Sequence, residues 1–192
     1  MIILILSEPR SGSTNLSLWL KSMSSEFIVI HEPYNPGSPD YQGSSYYNID
    51  WIDIKKNYII NEKFLNNRTA EINGLINICD KVVCLYRENT KEQIESFVMA
   101  STTGAWTSIY EANRKILDQI DTIHHYKQEY FETLKQNFKE LREFHNFKSF
   151  TYEDLYFRNK IDEFKEYLGL KIDIPFPIGG KYRRDIKVDK LI

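Results

Sequence analysis

Residues 1–20, MIILILSEPRSGSTNLSLWL, run from a short apolar stretch through a polar, glycine-containing loop into an apolar pattern at helical spacing. Ile2 to Leu6 are all Ile or Leu. A run this short and continuous fits a strand buried on both faces of a parallel sheet. Leu16, Trp19, Leu20 and Met23 then recur at three- and four-residue steps, so Thr14 to Ser24 reads as a helix. The loop between them falls at the carboxyl end of the first strand, where open α/β sheets collect their ligands.

Against the phosphate-loop pattern G-x-x-x-x-G-K-[ST], residues 7–14 read S-E-P-R-S-G-S-T. Ser7 stands for the first glycine and Ser13 for the lysine; only Gly12 and Thr14 match. Gly12 still lets the backbone approach an anion, the first N–H groups of the helix point outward, and Ser11, Ser13 and Thr14 add hydroxyls. Arg10 brings positive charge from another position. The plainer alternative is a turn whose helix is capped by Ser13 or Thr14.

Further strands follow at FIVIH (27–31), NYIINEKF (57–64), KVVCLYR (81–87) and within FKSFTYEDL (147–155). Asn89 with Glu92 resembles a capping box opening a helix to about Ser101, with Ile94, Phe97, Val98 and Ser101 as its buried stripe and Ser96 off it. Helical patterns after the Thr102–Ala105 break extend to about His145; Tyr126, Tyr130, Leu134, Phe138, Leu141 and Phe144 form a core stripe. KIDEFKEYLG closes with Gly169 as its stop, and IGGKYRRDI is a basic tail. Short buried strands alternating with helices predict a single α/β domain over 1–192, a three-layer αβα arrangement with a mainly parallel central sheet, like that of P-loop NTPases.

With 192 residues and a net charge of -2, the chain has no global attraction for nucleic acid or anionic membrane, so an anion must be held locally. The opening apolar run is too short for a signal or membrane segment, and a cytoplasmic protein is expected. Cys79 and Cys84 read as reduced, buried thiols. Asp53, Asp80 and Asp154 do not cluster clearly enough in sequence to hold magnesium, and no metal is expected.

P-R-S-G-S-T after a first strand, E-P after a second, and an apolar strand ending in Y-R-E-N with Ser96 on the next helix together resemble the sulfotransferases that use 3′-phosphoadenylyl sulfate (PAPS). The resemblance spans residues 1 to about 100 and, more weakly, Y-E-D-L and K-Y-R-R-D-I. It implies that Arg10, Ser11, Gly12, Ser13 and Thr14 cradle the donor's 5′-phosphosulfate, and that Arg87 and Ser96 bind its 3′-phosphate. Arg183 of the tail would close over the nucleotide.

Glu32 resembles the strand-end base of carbohydrate-directed members, with His31 the competing base and Lys63 steadying the transferring group. The activity implied is sulfuryl transfer to a hydroxyl of a small-molecule or carbohydrate acceptor. Three departures stand out: Asn15 replaces an adenine-stacking aromatic, Leu65 replaces a catalytic histidine two residues after Lys63, and the Arg87–Ser96 spacing is one residue longer than usual. The Pro33–Asp50 loop and Thr102–Tyr110 region would frame the acceptor, through Tyr34, Tyr41, Tyr46, Tyr47 and Trp106. A small-molecule kinase and a nucleotide- or partner-binding module without turnover are the rival readings. The sequence does not indicate an oligomeric state.

Overall fold

A computed structural model describes residues 1–22, 26–35, 37–42, 49–65, 69–103, 121–171 and 175–176. Its centre is β1 (Ile2–Ser7), buried along its whole length. Parallel strands flank it: β3 (Tyr58–Lys63) on one side and β4 (Lys81–Tyr86) on the other. β2 (Ile28–His31) extends the sheet beyond β3 and β5 (Lys148–Thr151) beyond β4, giving the order β2-β3-β1-β4-β5 with every pairing parallel.

Both faces of this sheet are covered, which is why its strands are continuously apolar rather than alternating. Ile3 and Ile5 face α1 (Ser13–Lys21), α5 (Tyr152–Tyr156) and α6 (Ile161–Leu168), where Leu16, Trp19, Leu20, Leu155 and Phe164 are buried. Ile2, Leu4 and Leu6 face α2 (Thr69–Ile78) and α4 (Asp121–His145) through Ile72, Leu75, Leu134 and Phe138. α3 (Thr90–Thr103) meets α4 through Ile94, Phe97 and Phe131. The predicted three-layer α/β arrangement is therefore the one formed. Full burial of a side chain such as Phe138 is worth roughly 1.5–3 kcal/mol.

Several local expectations change. The sequence reading had no helix between β3 and β4, where α2 forms. On α4 the buried face runs through Phe131, Leu134 and Phe138, whereas Tyr130 and Phe144 of the expected stripe are exposed. A fully buried Phe131 is the better anchor because the helix is covered from two directions, by the sheet and by α3. Tyr34, expected to face an acceptor, is buried in the core instead.

Only half of the Asn89 capping box forms. Glu92 N donates to Asn89 Oδ1 at 3.1 Å, but the Glu92 carboxylate pairs with Arg87. The complete capping box lies at α5, between Thr151 and Asp154. α6 ends at Gly169 as expected, with φ 74° in the left-handed region that glycine adopts readily. The free thiols of Cys79 and Cys84 are pushed up to about 12 by burial, as inert core cysteines should be.

Candidate functional site at the carboxyl end of the sheet

The parallel register brings Ser7, Lys63 and Leu85 level, so the chain leaves β1, β3 and β4 at one rim. α1 departs to one face of the sheet, whereas α3 and α4, which follow β4, belong to the other. The space between the β1 and β4 exits is therefore a topological switch point, the position where doubly wound sheets bind ligands. Glu8 closes its floor: Glu8 N donates to Leu85 O at 3.0 Å, and its carboxylate accepts from Arg87 N at 3.3 Å and Gln93 Nε2 at 3.1 Å. Lys135 of α4 lies 3.3 Å from the same carboxylate and also donates to Arg87 O. The buried Glu8 carboxylate thus ties the two rim loops to α3, through Gln93, and to α4, through Lys135.

The loop after β1 is bent twice into the left-handed region, at Arg10 (φ 62°) and Gly12 (φ 80°). Gly12 has no room for a side chain: a Cβ there would lie 2.7 Å from Tyr152 Cδ2 and 2.9 Å from Tyr156 Cε2. The Tyr156 hydroxyl donates to Gly12 O at 2.9 Å. Gly12 is also the N-cap of α1, without any side-chain cap, so neither Ser13 nor Thr14 caps the helix.

Their hydroxyls are engaged elsewhere, at the neighbouring strand ends. Ser13 Oγ accepts from Lys63 Nζ, and Thr14 Oγ1 lies 3.4 Å from His31 Nε2. Ser11, fully buried, donates its Oγ into the loop, to Glu8 O at 2.7 Å. Arg10 Nε donates to Ser96 Oγ at 2.9 Å. The amide of Asn61 braces α1 from beneath, donating to Ser13 O at 2.8 Å and Ser17 Oγ at 2.5 Å.

At the ends of β2 and β3, three candidate residues come together. Glu32 Oε1 stands 3.1 Å from His31 Nε2 and 3.6 Å from Lys63 Nζ, and Asn35 donates to its other oxygen at 2.5 Å. Neighbours on a strand face opposite ways. Here Glu32 (φ 50°) lies in the left-handed region and the alternation breaks, so His31 and Glu32 face the same side. His31 Nδ1 lies 3.2 Å from Ser17 Oγ.

Burial alone would raise the Glu32 carboxyl's pKa. The hydrogen bond to His31 and the charge of Lys63 outweigh it and hold the group well below the usual carboxylate range. Lys63 is not a surface lysine. Burial pushes its ammonium down, against the opposing pull of Glu32 and Glu62, and Arg10 lowers it further. The described part of the following loop folds back on β2, with Asp40 accepting from His31 N at 2.7 Å.

Around the end of β4, Arg87 stacks its guanidinium 4.7 Å over the Tyr152 ring and pairs with Glu92. Glu153 Oε1 lies 3.9 Å from Arg87 Nε, while the same carboxylate accepts from Glu88 N at 3.0 Å and Asn89 N at 3.3 Å. The hydrogen bond formed by Ser96 ties it to Arg10, not to the Arg87 with which the family resemblance grouped it. Arg183 and its tail, Tyr46, Tyr47 and Trp106 lie outside the described residues.

Asp80 accepts from Ile2 N and Asp53 from Lys55 N, so with the capping Asp154 all three aspartates have local duties. Among the described residues, no group of three His, Cys, Asp or Glu is placed to hold a metal ion, and no helix is long and apolar enough to cross a membrane. A groove of about 690 Å³ between α3 and α4 is lined by residues such as Lys91, Ile94 and Lys139, and takes in none of Arg10, Glu32 or Lys63.

Glu8, Gln93, Lys135, Tyr152, Glu153 and Tyr156 were not assigned from sequence. Ser17 was, however, readable as lying on the same helix face as Ser13, and Asn61-Glu62 as a polar interruption of an apolar strand.

No family model matches the chain, and no curated protein matches it. Among solved structures, the fold is similar to a crystal structure of mouse sulfotransferase SULT7A1 complexed with PAP, with a TM-score of 0.54 at 15% sequence identity. The match covers 90% of this chain, which spans only 60% of the length of that one. The likeness is one of fold: a mainly parallel central sheet with flanking helices, the P-loop-like α/β arrangement.

Proposed function

We propose that the chain is a sulfotransferase that moves a sulfuryl group from PAPS to an acceptor hydroxyl and releases adenosine 3′,5′-bisphosphate (PAP). The observation that supports this best is the position of Lys63. Its ammonium bridges Ser13 of the anion loop and Glu32, uniting donor-binding and proton-accepting groups at one rim. The fold shared with a PAP-bound sulfotransferase agrees with the same donor.

In this reading, Arg10, the N–H groups at the start of α1 and the Ser13 and Thr14 hydroxyls hold the 5′-phosphosulfate. Glu32 takes the proton from the acceptor hydroxyl, whose oxygen attacks sulfur in line as the bond from sulfur to the bridging oxygen breaks. Lys63 neutralises the charge that develops on that oxygen. While paired with Lys63 and His31, the Glu32 carboxylate is ionised but only weakly basic. Donor binding that draws Lys63 toward the leaving oxygen relieves the pairing and strengthens the base. His31 holds Glu32 in place and is the second candidate base; Arg87 takes the 3′-phosphate. A sulfuryl group carries less charge than the phosphoryl group of a nucleoside triphosphate, so fixed donors suffice without magnesium.

The decisive experiment compares thermal stabilisation by PAP with that by ATP and magnesium, then follows transfer of labelled sulfate from PAPS to a panel of small-molecule and carbohydrate acceptors. Stronger stabilisation by PAP and labelled product are expected. Stronger stabilisation by ATP and magnesium would favour a kinase, and PAP binding without transfer to any acceptor would favour a module without turnover.

A further inference from the structure

Arg87 is already held by carboxylates. Its side chain is 11% exposed, its face is covered by Tyr152, and its Nη2 donates to Glu92. Among the described residues, the buried Nε finds no hydrogen-bond partner, only the Glu153 carboxylate at 3.9 Å. The two carboxylates differ in how firmly they are placed. Glu153, 16% exposed, receives the backbone N–H groups of Glu88 and Asn89 at the mouth of the β4 loop, an arrangement of donors suited to an anion. Glu92 is 57% exposed on the first turn of α3, so its side chain can swing into water at little cost.

We propose that Glu92 is an internal competitor for the 3′-phosphate, occupying Arg87 in the absence of nucleotide and yielding to a 3′-phosphorylated one. The inference rests on the sulfotransferase reading, which assigns the 3′-phosphate to Arg87. Two negative groups cannot share one guanidinium edge without repulsion, so the arriving phosphate either expels Glu92 or binds weakly. Donor and bisphosphate product carry the same 3′-phosphate. Glu92 therefore lowers affinity for both alike and speeds product release without acting on the transition state. It tunes affinity for the 3′-phosphate and is not a catalytic residue.

Calorimetric titration of wild type and Glu92→Gln with PAP and with adenosine 5′-monophosphate tests this. The substitution keeps the side chain's size and leaves the Asn89 cap, which uses the Glu92 backbone, in place. Glu92→Gln is expected to bind PAP about two- to fivefold more tightly, with the monophosphate unchanged. An equal gain for both ligands would reduce Glu92 to a general charge effect and overturn the proposal. Binding of PAP by wild type with no gain in the variant would overturn the competitor role and leave the sulfotransferase reading standing. Failure of both proteins to bind PAP would overturn both.

Discussion

His31 and Glu32, consecutive in the chain, turn their side chains to the same side, with Nε2 and Oε1 3.1 Å apart. The left-handed backbone at Glu32 makes this possible and brings its carboxylate toward Lys63 as well. Because the folded carboxyl titrates below its unfolded counterpart, Glu32 contributes stability that is present above the ordinary carboxylate range and is lost as pH falls through and below it. Wild type should thus be more stable than Glu32→Gln near pH 7, and the difference should shrink toward about pH 3, well below the ordinary glutamate value. Denaturant melts of both proteins across this interval check the sign. The same variant should lose sulfate transfer while keeping its affinity for PAP.

Gly12 is the position where the loop after β1 tolerates no side chain. Gly12→Ala sets a Cβ against Tyr152 and Tyr156 and forces a left-handed φ on a non-glycine residue. A loss of roughly 2–4 kcal/mol is expected from the strain and overpacking together. Equilibrium unfolding measures it; a loss below about 0.5 kcal/mol would mean that the tyrosines do not wall the loop, since substitutions away from such features stay within that range.

The Glu8–Lys135 pair makes a different kind of prediction. Glu8 is 2% exposed, so Lys135→Met leaves a buried carboxylate without its cation. A cost of about 3 kcal/mol is expected. Adding Glu8→Gln to that variant should recover most of the loss, and a double-mutant cycle shows whether it does.

Ser96 and Arg87 should separate by ligand. Because Ser96 bonds to Arg10, Ser96→Ala should weaken PAP and adenosine 5′-monophosphate by similar factors, about three- to tenfold. Arg87→Ala should weaken PAP alone. Titrating both variants with both ligands distinguishes the two roles, and unchanged PAP affinity in Arg87→Ala would remove the assigned 3′-phosphate site.

β1, β4 and their ends were legible because a doubly covered parallel strand is apolar throughout and its end is marked by the first polar residue, as at Ser7 and Arg87. Helix α2 was not: Asn73, Gly74 and Asn77 are weak helix formers, and its stability comes from packing Ile72 and Leu75 against the sheet. The part Glu8 plays could not be read because its cation, Lys135, is 127 positions away. Glu32 and His31 were seen as candidates, but their convergence depends on a backbone angle that side-chain identity does not encode. Glu153 was hidden for a related reason, since what it binds is backbone N–H.

The all-parallel pairing of the sheet also governs how the site comes into being. Parallel neighbours cannot be joined by a hairpin, so each of the four pairings closes a long loop before it is rewarded by contacts. The side chains at the rim come from residues as far apart as Arg10, Glu32, Lys63, Arg87 and Glu153, and no single strand–helix unit assembles them. Folding should accordingly be slow for a chain of this size, and the convergence of these side chains should appear only with the completed sheet.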